Sequence, residues 1–134
     1  MLGTWRLNVA KSTFPPTEVA TKEETVFWRG LGADQYEFTI TSVRVDGSPS
    51  SMKGTMPSTG GVVNVQQPIQ AKGESGIITV VGPGDWYVTV MQNGKQVEVI
   101  HSVVSKDGKT CRNTTKGTNA KGKPYESLEL YERQ

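Results

Sequence analysis

The feature that most constrains this chain is the alternation of period-2 segments with tight-turn dipeptides. Asp46-Gly47, Asn93-Gly94 and Asp107-Gly108 each put an Asn or Asp before Gly between two alternating runs. Such pairs tolerate the positive φ that short hairpin turns require. Strands on either side of such a turn become antiparallel neighbours. Gly94, Gly108 and Gly122 are 14 residues apart, as are Gly47 and Gly61, the rhythm of strands of about ten residues joined by short turns. No window carries apolar residues at i, i+3, i+4 and i+7, so helices are not expected. The pattern marks ten strands, at 3–9, 24–29, 35–45, 51–56, 62–67, 76–81, 86–92, 95–104, 110–117 and 125–132. Sixteen Val and 15 Thr among 134 residues add the strand preference of branched side chains.

Ten antiparallel strands in a chain of this length leave nothing for a second layer, and closing the meander removes its exposed edges. The expected fold class is all-β: a single antiparallel up-and-down barrel of about ten strands in meander order, with residues 1–134 as one domain. A closed barrel larger than about eight strands encloses space that its own side chains need not fill. Two stretches depart from the pattern. Residues 10–22, with Pro15-Pro16, are expected to cross one end of the barrel as a lid or plug, and residues 57–61 form a Ser/Thr/Gly-rich loop.

Composition removes several function classes. Only 34% of residues are hydrophobic, and the net charge of +2 comes from 15 basic and 13 acidic residues scattered singly. There is no basic stripe to neutralise several phosphates, which argues against nucleic acid as a partner. No run approaches the roughly 18 apolar residues of a membrane-spanning helix, and Met1-Leu2-Gly3 leads directly into patterned sequence without a secretory leader. A cytoplasmic protein and an exported chain lacking its leader both fit. One Cys and one His preclude an internal disulfide and a Cys/His zinc cage, so neither metal nor cofactor is expected. Gly60-Gly61 and Gly82-Pro83-Gly84 lack the following helix of a phosphate cradle, and the sequon Asn113-Thr114-Thr115 falls within a strand.

Gly3-Thr4-Trp5 on the first strand and Tyr131-Glu132-Arg133 on the last resemble the lipocalin and fatty-acid-binding-protein superfamily of ligand-holding barrels. The resemblance implies that Trp5 packs at the closed end with Arg133 lying across it. More specifically, Gly3 to Asn8, Lys11-Ser12, Phe14, Ser105 to Thr110 and Thr115 to Asn119 resemble small exported proteins of soil bacteria with a lipocalin-like fold. This implies a periplasmic or secreted location. Where that pattern has apolar residues, this chain has Cys111 and Asn113. If they face inward, the interior is unusually polar, at a cost in stability unless the groups are paired.

Alternation and hairpin register predict which side chains meet the lumen. Tyr36, Phe38 and Ile40 share one face and are expected inside. On the eighth strand Val97, Val99, His101 and Val103 form the more uniformly apolar set. A two-residue turn at Asn93-Gly94 pairs Val90 with Val97, Val88 with Val99 and Trp86 with His101. A three-residue bulged loop at 106–108 pairs Val103 with Cys111 and His101 with Asn113, the favoured reading. A two-residue Asp107-Gly108 loop shifts the register by one and brings Arg112 and Thr114 to that face instead. On the last strand Leu128 and Leu130 are expected inside together with Glu126, leaving Tyr125, Glu129 and Tyr131 outside.

The expected function is binding of a small, largely hydrophobic or aromatic molecule in the lumen, by a monomer or small homo-oligomer. Candidate ligand contacts are Tyr36, Phe38, Trp86, Val88, Val99, His101, Cys111, Asn113 and Leu128. The alternative is a cofactor-free lyase, isomerase or cyclase with His101 as general base, Glu126 setting its tautomer and Asn113 steadying an oxyanion. A filled, structural barrel is the third reading.

Overall fold

A computed structural model describes residues 1–15, 20–68, 70 and 72–134. Ten strands run β1 Gly3–Leu7, β2 Thr21–Gly32, β3 Gln35–Arg44, β4 Pro49–Pro57, β5 Gly61–Gln67, β6 Glu74–Gly82, β7 Asp85–Gln92, β8 Lys95–Val104, β9 Thr110–Thr118 and β10 Pro124–Arg133. Each pairs antiparallel with its sequence neighbours, and β1 pairs with β10 to close the barrel. All ten expected strands are present. Thr21 and Lys22 belong to β2, and Val9 leaves β1 for a 3₁₀ turn at Val9–Lys11.

That turn has a local cause. The Asn8 side chain accepts from the Lys11 N–H, and the Ser12 hydroxyl donates to the Asn8 carbonyl. The chain then returns to the edge of β10, where Thr13 and Leu128 exchange backbone hydrogen bonds of 2.7 and 2.9 Å and Ser12 Oγ accepts from the Leu130 N–H. Thus Asn8 and Ser12 let a five-residue strand close a barrel, because the backbone groups of β10 beyond β1 keep partners. The predicted crossing of the barrel end falls partly on residues 16–19, which lie outside the described residues.

The closed end is built around the Gly-x-Trp triplet. Trp5 is buried and its indole N–H donates to the Met1 carbonyl at 2.9 Å. The Arg133 guanidinium lies 4.3 Å from the Trp5 ring centroid, as the resemblance implied, and donates to the carbonyls of Leu2 and Gly108. Gly3 has φ +109, and a Cβ there would come within 3.0 Å of Arg133 Nη1. The positive φ is what calls for glycine here, since the end of the Arg133 side chain can yield to a Cβ.

Core residues come from all around the wall, including Leu7, Phe38, Met56, Val63, Ile78, Trp86 and Tyr131. Phe38 sits opposite Gly54, where a Cβ would meet its ring at 2.5 Å. Trp28 packs on Phe38 with ring centroids 5.3 Å apart.

Candidate functional site

Two local events on β8 decide what the lumen contains. The Asn93-Gly94 turn holds two residues as expected, pairing Gln92 with Lys95 and Met91 with Gln96. The next pair is Val90 with Glu98, so Val97 is an extra, bulged residue. Beyond a bulge the alternation of a strand is inverted relative to its partner. Trp86 therefore faces Ser102, not His101, and Val88 faces Ile100, not Val99. At the other end of β8, the Asp107 carboxylate accepts from the Ser105 hydroxyl at 2.6 Å and the Lys109 N–H at 3.0 Å. Captured by a side chain, Lys109 joins the loop, and Ser105 pairs across to Thr110. The resulting register pairs Val104 with Cys111, Ser102 with Asn113 and His101 with Thr114.

His101 is consequently on the outer face, which corrects the expected lumenal base. Its ring stacks on Tyr87, with centroids 4.1 Å apart and planes 2° from parallel, and Nε2 lies 2.8 Å from Asp85 Oδ1. The shifted-register reading is the one observed, with Arg112 and Thr114 on the His101 side, but that side faces away from the lumen. Val99 goes outward with His101. Glu126 is also outside: it pairs with Lys116 at 3.3 Å, and both side chains are 69% exposed. Leu128 and Leu130 share its face, half-buried, where the 3₁₀ turn lies against β10. The inward set on β10 is instead Tyr125, Ser127, Glu129 and Tyr131. Polar side chains can occupy it because each has a partner there.

These partners form a polar wall. The Tyr125 hydroxyl donates to Glu98 across β9. The crossing requires Gly117, since a Cβ there would lie 2.6 Å from the Tyr125 hydroxyl oxygen. The Tyr131 hydroxyl donates to Glu24 and lies 2.8 Å from Glu129 Oε2. Burial raises the pKa of Glu24, the Tyr131 hydrogen bond partly opposes this, and the nearby Glu129 charge adds to the rise. Burial likewise pushes Tyr131 well above the usual phenol range, reinforced by the charges of Glu129 and Glu24. Ser127 contacts Glu129 at 3.4 Å, and Cys111 Sγ lies 3.7 Å from Asn113 Oδ1. Burial pushes the Cys111 thiol up to about 11, so it is neutral and a poor nucleophile near pH 7.

The cavity within the barrel measures about 500 Å³. It runs from Met1 and Trp5 at the floor to Glu74, Thr118 and Tyr125 at the far end, and most of its lining is apolar. Of the expected contacts, Phe38, Trp86, Val88, Cys111 and Asn113 line it. Tyr36 packs against the core without reaching the cavity, whereas Val99, His101 and Leu128 lie outside it. The alternation rule missed Glu98, Tyr125 and Tyr131. Gly117, a glycine within a strand, was the available signal, since such a residue marks close approach of another group. Among the described residues no group of three His, Cys, Asp or Glu side chains is placed to hold a metal ion.

Neither a protein-family model nor a curated protein sequence matches the chain. Solved structures do. The fluorescent protein UnaG superposes with a TM-score of 0.66 at 16% identity, over 99% of this chain and 96% of UnaG. Rv2717c from M. tuberculosis gives 0.62 at 16% identity, over 99% of this chain and 92% of that one. The fold is of the lipocalin and fatty-acid-binding-protein type. At these identities the likeness establishes architecture, and function must be argued from the lumen.

Proposed function

We propose that the protein binds a small, largely apolar molecule within the barrel. The observation that carries this reading is the cavity of about 500 Å³ walled mainly by apolar side chains. That volume lies within the range of roughly 300–1,000 Å³ common to small-molecule sites, and its few convergent polar groups are what such sites use to orient a ligand. Phe38, Trp86 and Val88 supply apolar contact, while Asn113 and Cys111 supply the polar edge. The lumen is complete within one chain, which supports a monomer or small homo-oligomer as the working form. The resemblance of both chain ends to exported lipocalin-like proteins supports bacterial origin and work outside the cytoplasm, a location that fractionation of the native source tests. No observation favours the enzyme reading, since His101 and Glu126 open on the outer face.

Native mass spectrometry of freshly purified protein, followed by extraction, is expected to show one small molecule per chain. Titration with the neutral fluorophore N-phenyl-naphthylamine should give saturable fluorescence that Val88→Trp, which narrows the lumen, weakens. Absence of both a bound molecule and saturable uptake would overturn the reading.

A further inference from the structure

The side-chain charges facing the lumen are of one sign. Glu98 lines the cavity and Glu74 stands at its far end, whereas no Lys, Arg or His is among the described lining residues. The ion pairs between described residues are Arg29 and Lys53 with Glu37, His101 with Asp85, and Lys116 with Glu126. None involves Glu74 or Glu98, and all lie on the outer face. The Met1 α-amino group is at the opposite end, beside Trp5, where burial lowers its pKa and favours the neutral amine.

Glu98 is also held in position. The Tyr125 hydroxyl engages its Oε2 across Gly117. A carboxylate accepts several hydrogen bonds, so one phenol leaves it acceptor capacity. Farther along the cavity are the rings of Trp86, Trp28 and Phe38, whose faces attract cations as well as apolar groups. A ligand carboxylate seated beside Glu98 would bring like charges together where water is partly excluded. A ligand ammonium there would gain a charge-assisted hydrogen bond.

We propose that the molecule this lumen takes is an amine, protonated at neutral pH and carried on an aromatic or otherwise apolar body, with its nitrogen on Glu98. The proposal rests on the lumen-binding reading above and names its ligand class. Fatty-acid-like anions are the ligands it excludes.

The test is a matched series of one ring system in three charge states: naphthylmethylamine, naphthylmethanol and naphthoate, each competed against N-phenyl-naphthylamine at pH 7. The amine is expected to bind about tenfold or more tighter than naphthoate, the size of one hydrogen bond to a charged group, with the alcohol between them. The preference should fall as salt rises. Glu98→Gln should bring the amine-to-acid ratio toward one, whatever it does to the alcohol, and Tyr125→Phe should reduce it part-way. Equal binding of amine and acid, or tighter binding of the acid, overturns the amine assignment and leaves lumen binding intact. Failure of the fluorophore and all three compounds to bind overturns both.

Discussion

The barrel has two unlike walls. From β8 to β10 the strands pair over seven and nine consecutive residue pairs, and this side, with Glu24 of β2, carries the polar interior. From β4 to β6 each junction has only three pairs, with a register shift between Lys53 and Gly54, and apart from Glu74 and Ser75 at the far end the side chains it sends inward are apolar, Met52, Met56, Val63, Val65 and Ile78 among them. The difference has a physical reason. A buried hydroxyl or carboxylate costs free energy unless a partner stands at hydrogen-bond distance, so a polar interior needs a wall of fixed register. Apolar side chains ask only for contact, and a short ladder suffices.

The largest test of this contrast is on the apolar wall. Met56 is 3% exposed, and Met56→Ala is expected to cost about 2–5 kcal/mol in denaturant unfolding. A loss under 1 kcal/mol would mean that this wall collapses onto the void and contributes little packing. On the polar wall, Gly117→Ala should cost about 1–3 kcal/mol by overpacking and should also detach Tyr125 from Glu98. A crystal structure or the Tyr125 ring chemical shifts would show an undisturbed pair if Gly117 is not what permits the crossing. Amide hydrogen exchange compares the walls directly. Amides of β9 are expected to exchange at least about tenfold more slowly than those of β5, because local opening follows the pairing that must be broken, and equal rates would remove the contrast.

A smaller effect concerns pH. Glu24 binds its proton more tightly in the folded than in the unfolded chain, so its contribution to stability is full below the ordinary carboxylate range and is lost as pH rises through the raised value. Glu24→Gln, which keeps an acceptor for Tyr131, should flatten that part of the melting-temperature profile and raise stability at neutral pH. An unchanged slope would show that Glu24 titrates normally. Smallest is Cys111: alkylation at pH 8 should be far slower than for a free thiol and should accelerate on unfolding.

Much of the architecture was legible because it depends on punctuation. Asn93-Gly94 formed its two-residue turn, the ten alternating runs became ten strands, and Gly3-Thr4-Trp5 found Arg133. The faces of β3 and β7 followed from alternation, placing Phe38, Trp86 and Val88 inside. On β8 and β10 the same rule inverted the faces, for two reasons. The bulge at Val97 and the Asp107-centred loop are one-residue events set by cross-strand geometry and side-chain hydrogen bonds, which an alternation pattern does not encode. On β10, hydropathy favours the leucines as the inward set, but Tyr125 and Tyr131 find partners on β8 and β2. Hydropathy ranks side chains one at a time, whereas a paired phenol and carboxylate are buried together.

The bulge at Val97 has a wider meaning. Every strand of a barrel carries two half-inventories, one for the lumen and one for the surface, and a bulge lets one strand draw on both. Val97 and Glu98 are adjacent in the chain, yet both line the cavity. Deleting Val97 would only straighten the ladder and leave Ile100 and Ser102 inside, whereas pairing Val97 with Val90 would exchange them for Val99 and His101. The same residues can thus offer the lumen an imidazole or a hydroxyl, and the choice lies in one unpaired position.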